Sequence, residues 1–397
     1  MKLKINLTLI TLLCLSAGST VNAQNVNVAK ALVPAEKQMK ILLENSVKAI
    51  AAEPKFIAPR TLENNQLKLV IGKDWTSGFF SGMLWYMYEL TKNPVWLEPA
   101  KEFTQKLAPQ QFNTGTHDLG FMVYCSYGNG YRLTGDTSYK SVIIQAAKSL
   151  SKRFNPVAGV IRSWDHNADK WQFPVIIDNM MNLELLFEAT KLTGDSSFYK
   201  IAVSHANTTL KNHFRKDYSS YHVVDYDPAT GAVKWKGTAQ GYSDPSAWAR
   251  GQAWALYGYT LCYRETKDVA YLKQAEGIAK FMLSNPAMPA DKVPYWDYND
   301  PQIPNSPKDA SAAAITASGL YELSGYSKEG KSYRKTADQI LNSLIKNYTS
   351  SAGTNDGFIL AHSTGHKPAK SEIDVPIIYA DYYYLEALKR SKGGANP

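Results

Sequence analysis

Six copies of one helix-ending turn, and an alternation of uniformly apolar helices with amphipathic ones, predict an all-α fold. The expected architecture is an (α/α)6 barrel of six inner and six outer helices, with loops or a short β-hairpin over its mouth. Four turns are close copies: Leu90-Thr-Lys-Asn93, Leu133-Thr-Gly-Asp136, Leu192-Thr-Gly-Asp195 and Glu265-Thr-Lys-Asp268. In each, Gly or Lys stops one helix, Asn or Asp caps the next, and an aromatic follows three residues on: Trp96, Tyr139, Phe198 or Tyr271. Ahead of the turns lie apolar stretches such as 179–191 and 253–264, which suit an inner ring. After them come amphipathic stretches such as 139–153 and 271–283, whose lysines face water. Looser turns at Leu323-Ser-Gly-Tyr326 and Leu388-Lys-Arg-Ser391 complete six hairpins, spaced about 40 to 75 residues apart. A β-rich excursion from Tyr221 to Trp235, around Pro228-Ala-Thr-Gly231, is expected on one face of the ring.

Residues 1–23 stand apart from this pattern. Lys2 and Lys4, the apolar run from Leu7 to Leu15 and the ending Val21-Asn22-Ala23 form the pattern of a secretory signal peptide. The mature chain is expected to begin at Gln24, to form one catalytic barrel domain over 24–397, and to be periplasmic or secreted. No later stretch is apolar enough for a membrane span. The formal charge of +9 falls to +7 without Lys2 and Lys4, and the pI near 9.1 favours an acidic partner. An exported chain without a dense Lys/Arg patch is not expected to bind nucleic acid. Cys125 and Cys262 sit in apolar helical stretches without the companions of a ligand set, so neither metal nor cofactor is expected. Oligomeric state is left open by the sequence.

The repeat register locates a candidate site. Counting back 17 or 18 residues from each turn lands on Trp75, Asp118, Asp178, Arg250, Asp309 and Asp374. In a closed ring these residues open the inner helices and gather at one mouth, where the helix dipoles also suit an anion. Aspartate is a favoured helix cap, so capping alone accounts for about half of such residues. Asp118 rises above that explanation because His117 precedes it, and Asp178 because it follows the apolar Val175-Ile-Ile. Aromatic residues, among them Trp75, Trp164, Trp171, Trp248 and Trp254, offer stacking faces for sugars. Two carboxylates in an aromatic crater point to general acid/base work on a glycan. The dipole favours the anion by only about 0.3–1 kcal/mol. Burial raises a carboxyl pKa by up to about 3–5 units, so Asp178 is expected to stay protonated and ready to donate. Arg250, inside Trp248-Ala-Arg-Gly-Gln252-Ala-Trp254, is placed to meet an acidic substrate group.

The segments Thr116-His117-Asp118-Leu-Gly-Phe121, Ile177-Asp178-Asn-Met-Met-Asn182, Thr238-Ala-Gln240-Gly-Tyr242, Trp248-Ala-Arg250-Gly-Gln252-Ala-Trp254 and Asp381-Tyr-Tyr-Tyr-Leu-Glu-Ala-Leu388 resemble the unsaturated glucuronyl hydrolases of glycoside hydrolase family 88. The resemblance runs in order along essentially the whole mature chain, and it implies an (α/α)6 barrel. It also implies removal of a non-reducing-end 4,5-unsaturated uronic acid from lyase-generated oligosaccharides, by hydration of the C4=C5 bond. By the same resemblance Asp178 protonates C4 and activates water, Asp118 positions the sugar, and His117, His222, Gln240, Arg250 and Trp254 contact it. Trp75 joins them from the register. The mature charge makes glycosaminoglycan fragments the expected substrate, with the segment His362-Ser363-Thr-Gly-His366-Lys367 expected beyond the cleaved bond near sulfate or N-acetyl groups. Two other readings stand beside this one. An unsaturated rhamnogalacturonyl hydrolase acting on pectin fragments shares the chemistry, and a catalytically inactive periplasmic glycan-binding protein shares the aromatic crater.

Overall fold

In the computed structural model, which describes residues 25–393, the repeated turn is a left-handed helix cap. Lys92, Gly135, Gly194 and Lys267 take φ of 58°, 69°, 75° and 59°, and each donates its N–H to the carbonyl four residues back. Asn93, Asp136, Asp195 and Asp268 then accept the N–H groups of Val95, Ser138, Ser197 and Ala270, which starts the following helix or turn. The sequence signature thus encodes a sharp reversal, which makes each helix antiparallel to its successor. The expected signal peptide over 1–23 lies outside the described residues.

The described residues open with α1 (Val28–Ala52), the hairpin β1 (Ala58–Glu63) and β2 (Gln66–Val70), α2 (Phe79–Thr91) and α3 (Leu97–Gln105). A π-helical segment, Gly120–Gly128, continues into α4 (Asn129–Thr134), followed by α5 (Ser138–Ser151). Short strands β3 (Phe154–Asn155), β4 (Val160–Ile161) and β5 (Pro174–Ile176) precede a 3-10 turn, Ile177–Asn182, that leads into α6 (Leu183–Thr193). Next come α7 (Ser196–Asn212), β6 (Val223–Tyr226), β7 (Val233–Gly237), α8 (Ala249–Thr266) and α9 (Val269–Ser284). The last third holds α10 (Ala310–Leu323), α11 (Gly330–Ser343), β8 (Ser363–His366), β9 (Ser371–Val375) and α12 (Ile378–Lys392).

The even-numbered helices form the inner ring. Every residue of α10, and of α8 from Ala249 to Cys262, is buried, which is why these segments carry no polar stripe. The ring closes where α12 meets α2 and α4: Tyr86 donates to Glu386 at 2.9 Å and Asn129 to the Tyr382 hydroxyl at 3.2 Å. The odd-numbered helices lie outside, giving the (α/α)6 barrel. One pairing differs from the expected run of hairpins: α12 is the last described helix, and the sixth outer helix is α1, from the other end of the sequence. Gln38 and Asn45 of α1 bind the turn before β8 through Thr354, Phe358 and Asp356. Gly357 (φ 91°) makes this possible, since a Cβ there would lie 2.3 Å from the backbone nitrogen of Leu42.

The expected β excursion is a three-stranded antiparallel sheet, β5-β6-β7. One sheet face carries Val175, Val224 and Tyr226 into a small core of their own, while Ile176, Val223 and Trp235 pack with Trp171 on the other face, where Ile176 reaches the barrel mouth. Below the mouth the barrel is blocked by packed rings: Phe121 lies 5.1 Å from Trp254, which lies 5.3 Å from Tyr383. Beneath these rings the buried carboxylates of Glu322 and Glu386 are matched by Arg264 and Arg390. The space left there, about 70 Å³, is too small for a sugar. The barrel is therefore open at one end only.

Candidate active site

The open end is a crater of about 550 Å³, within the size range of small-molecule sites. Trp75, His117, Asp118, Asp178, His222, Gln240 and Arg250 all line it. Trp254, fully buried, lies in the layer of rings that forms the floor. The register count therefore gathers four of its six positions at this mouth. Asp309 is different: its carboxylate caps α10 through Ser311 and Ala312 and pairs with Arg250, so it is structural. Asp374 is a correction to the register. It lies on β9 with φ 56°, is 55% exposed and pairs with His362. The last inner helix starts at Ile378, because the β8-β9 hairpin shifts the spacing there, and the crater residue of that helix is Tyr379.

Capping does not explain the two remaining aspartates. Neither Asp118 nor Asp178 gives its side chain to a helix N–H. Asp118 accepts from the Thr116 hydroxyl at 2.8 Å and lies 3.1 Å from His117 Nε2. Asp178 sits in the 3-10 turn directly after β5, where Ile177 N donates to the His222 carbonyl at 3.0 Å and fixes the two segments side by side. Gly120 brings Asp118 to the same place. A Cβ there would lie 2.7 Å from Cα of Asn182, whose side chain instead accepts the Phe121 N–H at 3.1 Å. The helix that follows Asp118 thus rests directly on the turn that carries Asp178. That helix is wound as a π-helix over Gly120–Gly128, a form often found beside functional sites.

The histidine protonation follows from hydrogen bonding. His222 Nδ1 accepts two backbone N–H groups, from Ala239 at 3.0 Å and Gln240 at 3.1 Å, so the ring proton resides on Nε2. That proton faces Asp178 Oδ2 across 3.6 Å. Burial pushes the His222 pKa well below its ordinary value, and nearby His366 and Arg250 push the same way, so the ring is a neutral donor. His117 is also held low by burial, against the opposing pull of Asp118. Asp178 goes the other way. Burial raises its carboxyl to about 7; Arg250 opposes that rise and the Asp118 charge adds to it. A raised carboxyl is not enough to mark a catalytic acid. Asp381 is pushed to about 8 by burial, yet its oxygens are taken up by the N–H groups of Ile359 and Leu360. Asp178 has no such pair of backbone partners: His222 Nε2 lies 3.6 Å from its Oδ2, and the Trp254 N–H is close enough to pull its pKa down, so the groups that face this buried carboxyl are N–H donors at or beyond the limit of a hydrogen bond.

Arg250 anchors one wall. It is fully buried, pairs with Asp309 at 2.8 Å, and donates to the carbonyls of Thr364 and Gly365 at 2.6 and 2.5 Å. Its guanidinium lies over the rings of Trp248 and Tyr379. Gln240 holds the same hairpin through Gly365 O at 3.2 Å. The wall also includes His366, from the 362–367 segment expected at the site, and Arg60, Glu372 and Tyr379, which the sequence reading did not single out. Arg60 grips Glu372 through two bonds, of 2.5 and 3.0 Å, and Asp74 through a third of 2.8 Å. Trp164 and Trp171 line the opposite side.

Two expected subsite residues are not on this wall. Lys367 gives its ammonium to Asp300 at 2.6 Å and Gln302 at 3.0 Å, facing a separate hollow outside the crater. The strong pairing to a buried carboxylate turns it away. Ser363, the first residue of β8, is fully buried. Among the described residues no cluster of His, Cys, Asp or Glu suits a metal ion, and no helix is long and apolar enough to cross a membrane.

The Glycosyl Hydrolase Family 88 profile matches residues 51–393. An unsaturated glucuronyl hydrolase of Formosa agariphila is 48% identical over 98% of this chain and 97% of its own length. An unsaturated chondroitin disaccharide hydrolase of Streptococcus agalactiae is 34% identical over 82% and 83%. A crystal structure of an unsaturated glucuronyl hydrolase specific for heparin superposes with TM-score 0.86 at 48% identity, covering 92% of this chain and all of that one. A mutant Streptococcus agalactiae enzyme complexed with dGlcA-GalNAc6S superposes with TM-score 0.76 at 31% identity, over 93% and 92%. With the blind crater, the pair of aspartates and these likenesses in agreement, the chain belongs to glycosyl hydrolase family 88.

Proposed function

We propose that this enzyme removes the 4,5-unsaturated uronic acid from the non-reducing end of glycosaminoglycan-derived oligosaccharides by adding water across the C4=C5 bond. The observation that carries the reading is the buried Asp178 carboxyl, raised to about 7 and faced by the N–H groups of His222 and Trp254, at the bottom of a crater that admits one chain end. In this reading protonated Asp178 donates to C4, and positive charge develops at C5 and the ring oxygen. The new carboxylate takes a proton from water as that water bonds to C5. The resulting hemiketal opens, which leaves C1 as a hemiacetal that expels the rest of the chain. His222 Nε2–H and Trp254 Nε1–H serve as donors that hold the sugar or the anionic form of Asp178. Asp118, kept in place by Thr116 and His117, positions the ring and keeps the Asp178 proton on. Arg250 and Trp75 supply the cation and the aromatic face for a planar, carboxylate-bearing ring. The direct test is incubation with unsaturated disaccharides; persistence of the double-bond absorbance and of intact disaccharide would sink the reading.

The relatives' names favour glycosaminoglycan disaccharides over pectin fragments, and the raised Asp178 carboxyl with the donors that face it supports turnover rather than binding alone. The pH dependence has a definite sign. Asp178 must be protonated to donate, and its pKa is raised to about 7. The productive form is therefore fully present below that value and lost above it, whereas His222 stays neutral throughout. We expect kcat/KM to fall about tenfold per pH unit above roughly pH 7. A profile level to pH 9 would remove Asp178 from the acid role. Residues 1–23 are proposed to direct export, on the charge, apolar core and small-residue ending of that segment. N-terminal sequencing of protein recovered from the periplasm or the medium, beginning at Gln24, is the expected outcome.

A further inference from the structure

A blind crater fixes where the rest of a bound chain must go. With the terminal sugar at the floor, every following unit leaves through the mouth. The wall carrying Arg60 and Glu372 is held by a paired ionic clamp. The opposite lip is the loop that carries Trp164 and Trp171, and it leads into a second hollow of about 700 Å³. Lys170 and Trp171 line both spaces, so the two hollows adjoin across this lip. Trp235, half-buried on β7, forms the far side of this shelf.

The rings make a path outward. Trp164 meets Trp171 edge-on at 5.3 Å, and Trp171 lies 6.3 Å from Trp235, steps on the scale of successive sugar rings. Trp171 itself is only 5% exposed, packed on Ile176 and Val223 with the Lys170 ammonium 4.3 Å from its ring centroid. It therefore braces the lip; Trp164 carries the His166 ring stacked on one face, and Trp235 is the partly exposed ring of the outer hollow. The polar groups around the shelf suit a hydroxyl-rich ring. Asp225, 4% exposed, accepts the Phe173 N–H and stiffens the shelf floor, while Asp244 gives one oxygen to the Thr238 N–H and keeps acceptor capacity for sugar hydroxyls. Asp169 is exposed at the edge, and Lys170 and Lys234 offset these carboxylates. Lys234 is held over the shelf by Gln172 at 2.8 Å.

We propose that this shelf is a distal subsite for sugar units beyond the first two of an unsaturated oligosaccharide, with Trp235 as its stacking platform and Lys234 meeting a uronate carboxylate. The inference rests on the function proposed above, because it needs the terminal unsaturated sugar in the crater. It gives the enzyme a preference for chains longer than a disaccharide.

The test compares unsaturated di- and tetrasaccharides of one unsulfated glycosaminoglycan on wild type, Trp235→Ala and Lys234→Glu. In the wild type the tetrasaccharide is expected to have the lower KM. Trp235→Ala is expected to lower kcat/KM for the tetrasaccharide about five- to tenfold while leaving the disaccharide within about twofold. Lys234→Glu, at an exposed side chain, is expected to act in the same selective way. Equal KM values in the wild type, or a tetrasaccharide-to-disaccharide ratio unchanged by Lys234→Glu, would overturn the subsite. If Trp235→Ala weakens both substrates equally through misfolding, Lys234→Glu still decides. Failure of the wild type to consume either double bond would instead refute the proposed function. In that case calorimetric titration of the tetrasaccharide into wild type and Lys234→Glu reads the shelf alone, and equal affinities count against it.

Discussion

Asp178→Asn is expected to lower kcat on an unsaturated disaccharide by roughly 10³-fold or more, near the upper end for loss of a general acid/base. Asparagine keeps the size of the side chain but has no proton to deliver to C4 and no carboxylate to take one from water. Affinity for the disaccharide should change little, since the wall groups Arg250, Gln240 and Trp75 stay in place. The same substitution should stabilise the fold, with a recognisable pH dependence. The Asp178 pKa is raised from its ordinary value near 3.8 to about 7. Ionising it in the folded state is therefore penalised, from nothing below about pH 4 to a plateau above about pH 7, at most about 4 kcal/mol. Asparagine removes that penalty. Thermal unfolding should show Asp178→Asn ahead of wild type at pH 8 and level with it at pH 4. A mutant that is inactive but gains nothing at pH 8 would mean that the carboxyl is not held protonated by burial. A mutant still active would remove Asp178 from the mechanism altogether.

The residues that make this argument were legible in the sequence because the barrel is built by repetition. Each inner helix starts at a fixed distance before its turn, so one count places Trp75, Asp118, Asp178 and Arg250 at the same level of the ring. What the sequence could not supply was contact across the ring closure. Arg60 and Glu372 form one clamp although 312 residues separate them, and each belongs to a different two-stranded hairpin. Neither residue type nor local spacing signals that pairing. Tyr379 was hidden for a related reason: the β8-β9 hairpin displaces the last inner helix relative to its turn, and the count fell on Asp374 instead. A weak signal was present, since Tyr379, like Arg250, is the second residue of its helix. Lys367 was misplaced because charge suggested a ligand for sulfate, whereas Asp300, a carboxylate on a distant loop, claims its ammonium first. The π-helical winding after Asp118 is likewise not visible in apolar periodicity, which suits either helix at this length.

Arg250→Met is expected to damage both the fold and the chemistry, and the two losses can be separated. The guanidinium is fully buried against Asp309, and removing one partner of a buried pair leaves an uncompensated charge, at a cost of about 3–5 kcal/mol. The carbonyls of Thr364 and Gly365 lose their donors in the same step, so the wall carrying His366 slackens. Misplacement of a crater wall by about 1 Å costs on the order of 10²-fold in rate, to which the lost cation adds. Asp178 also feels the change. Arg250 holds its pKa down against burial, so without that charge the carboxyl stays protonated to higher pH. The alkaline limb of whatever activity remains should therefore move upward from about pH 7. Chemical denaturation and pH-rate profiles of three proteins resolve the roles: wild type, Arg250→Met, and Arg250→Met with Asp309→Asn. The second substitution removes the unpaired carboxylate yet keeps an oxygen to cap α10, so part of the stability should return while the rate does not. A double mutant that regained activity along with stability would show Arg250 to be a structural anchor only. An unshifted alkaline limb would separate it from the electrostatics of Asp178.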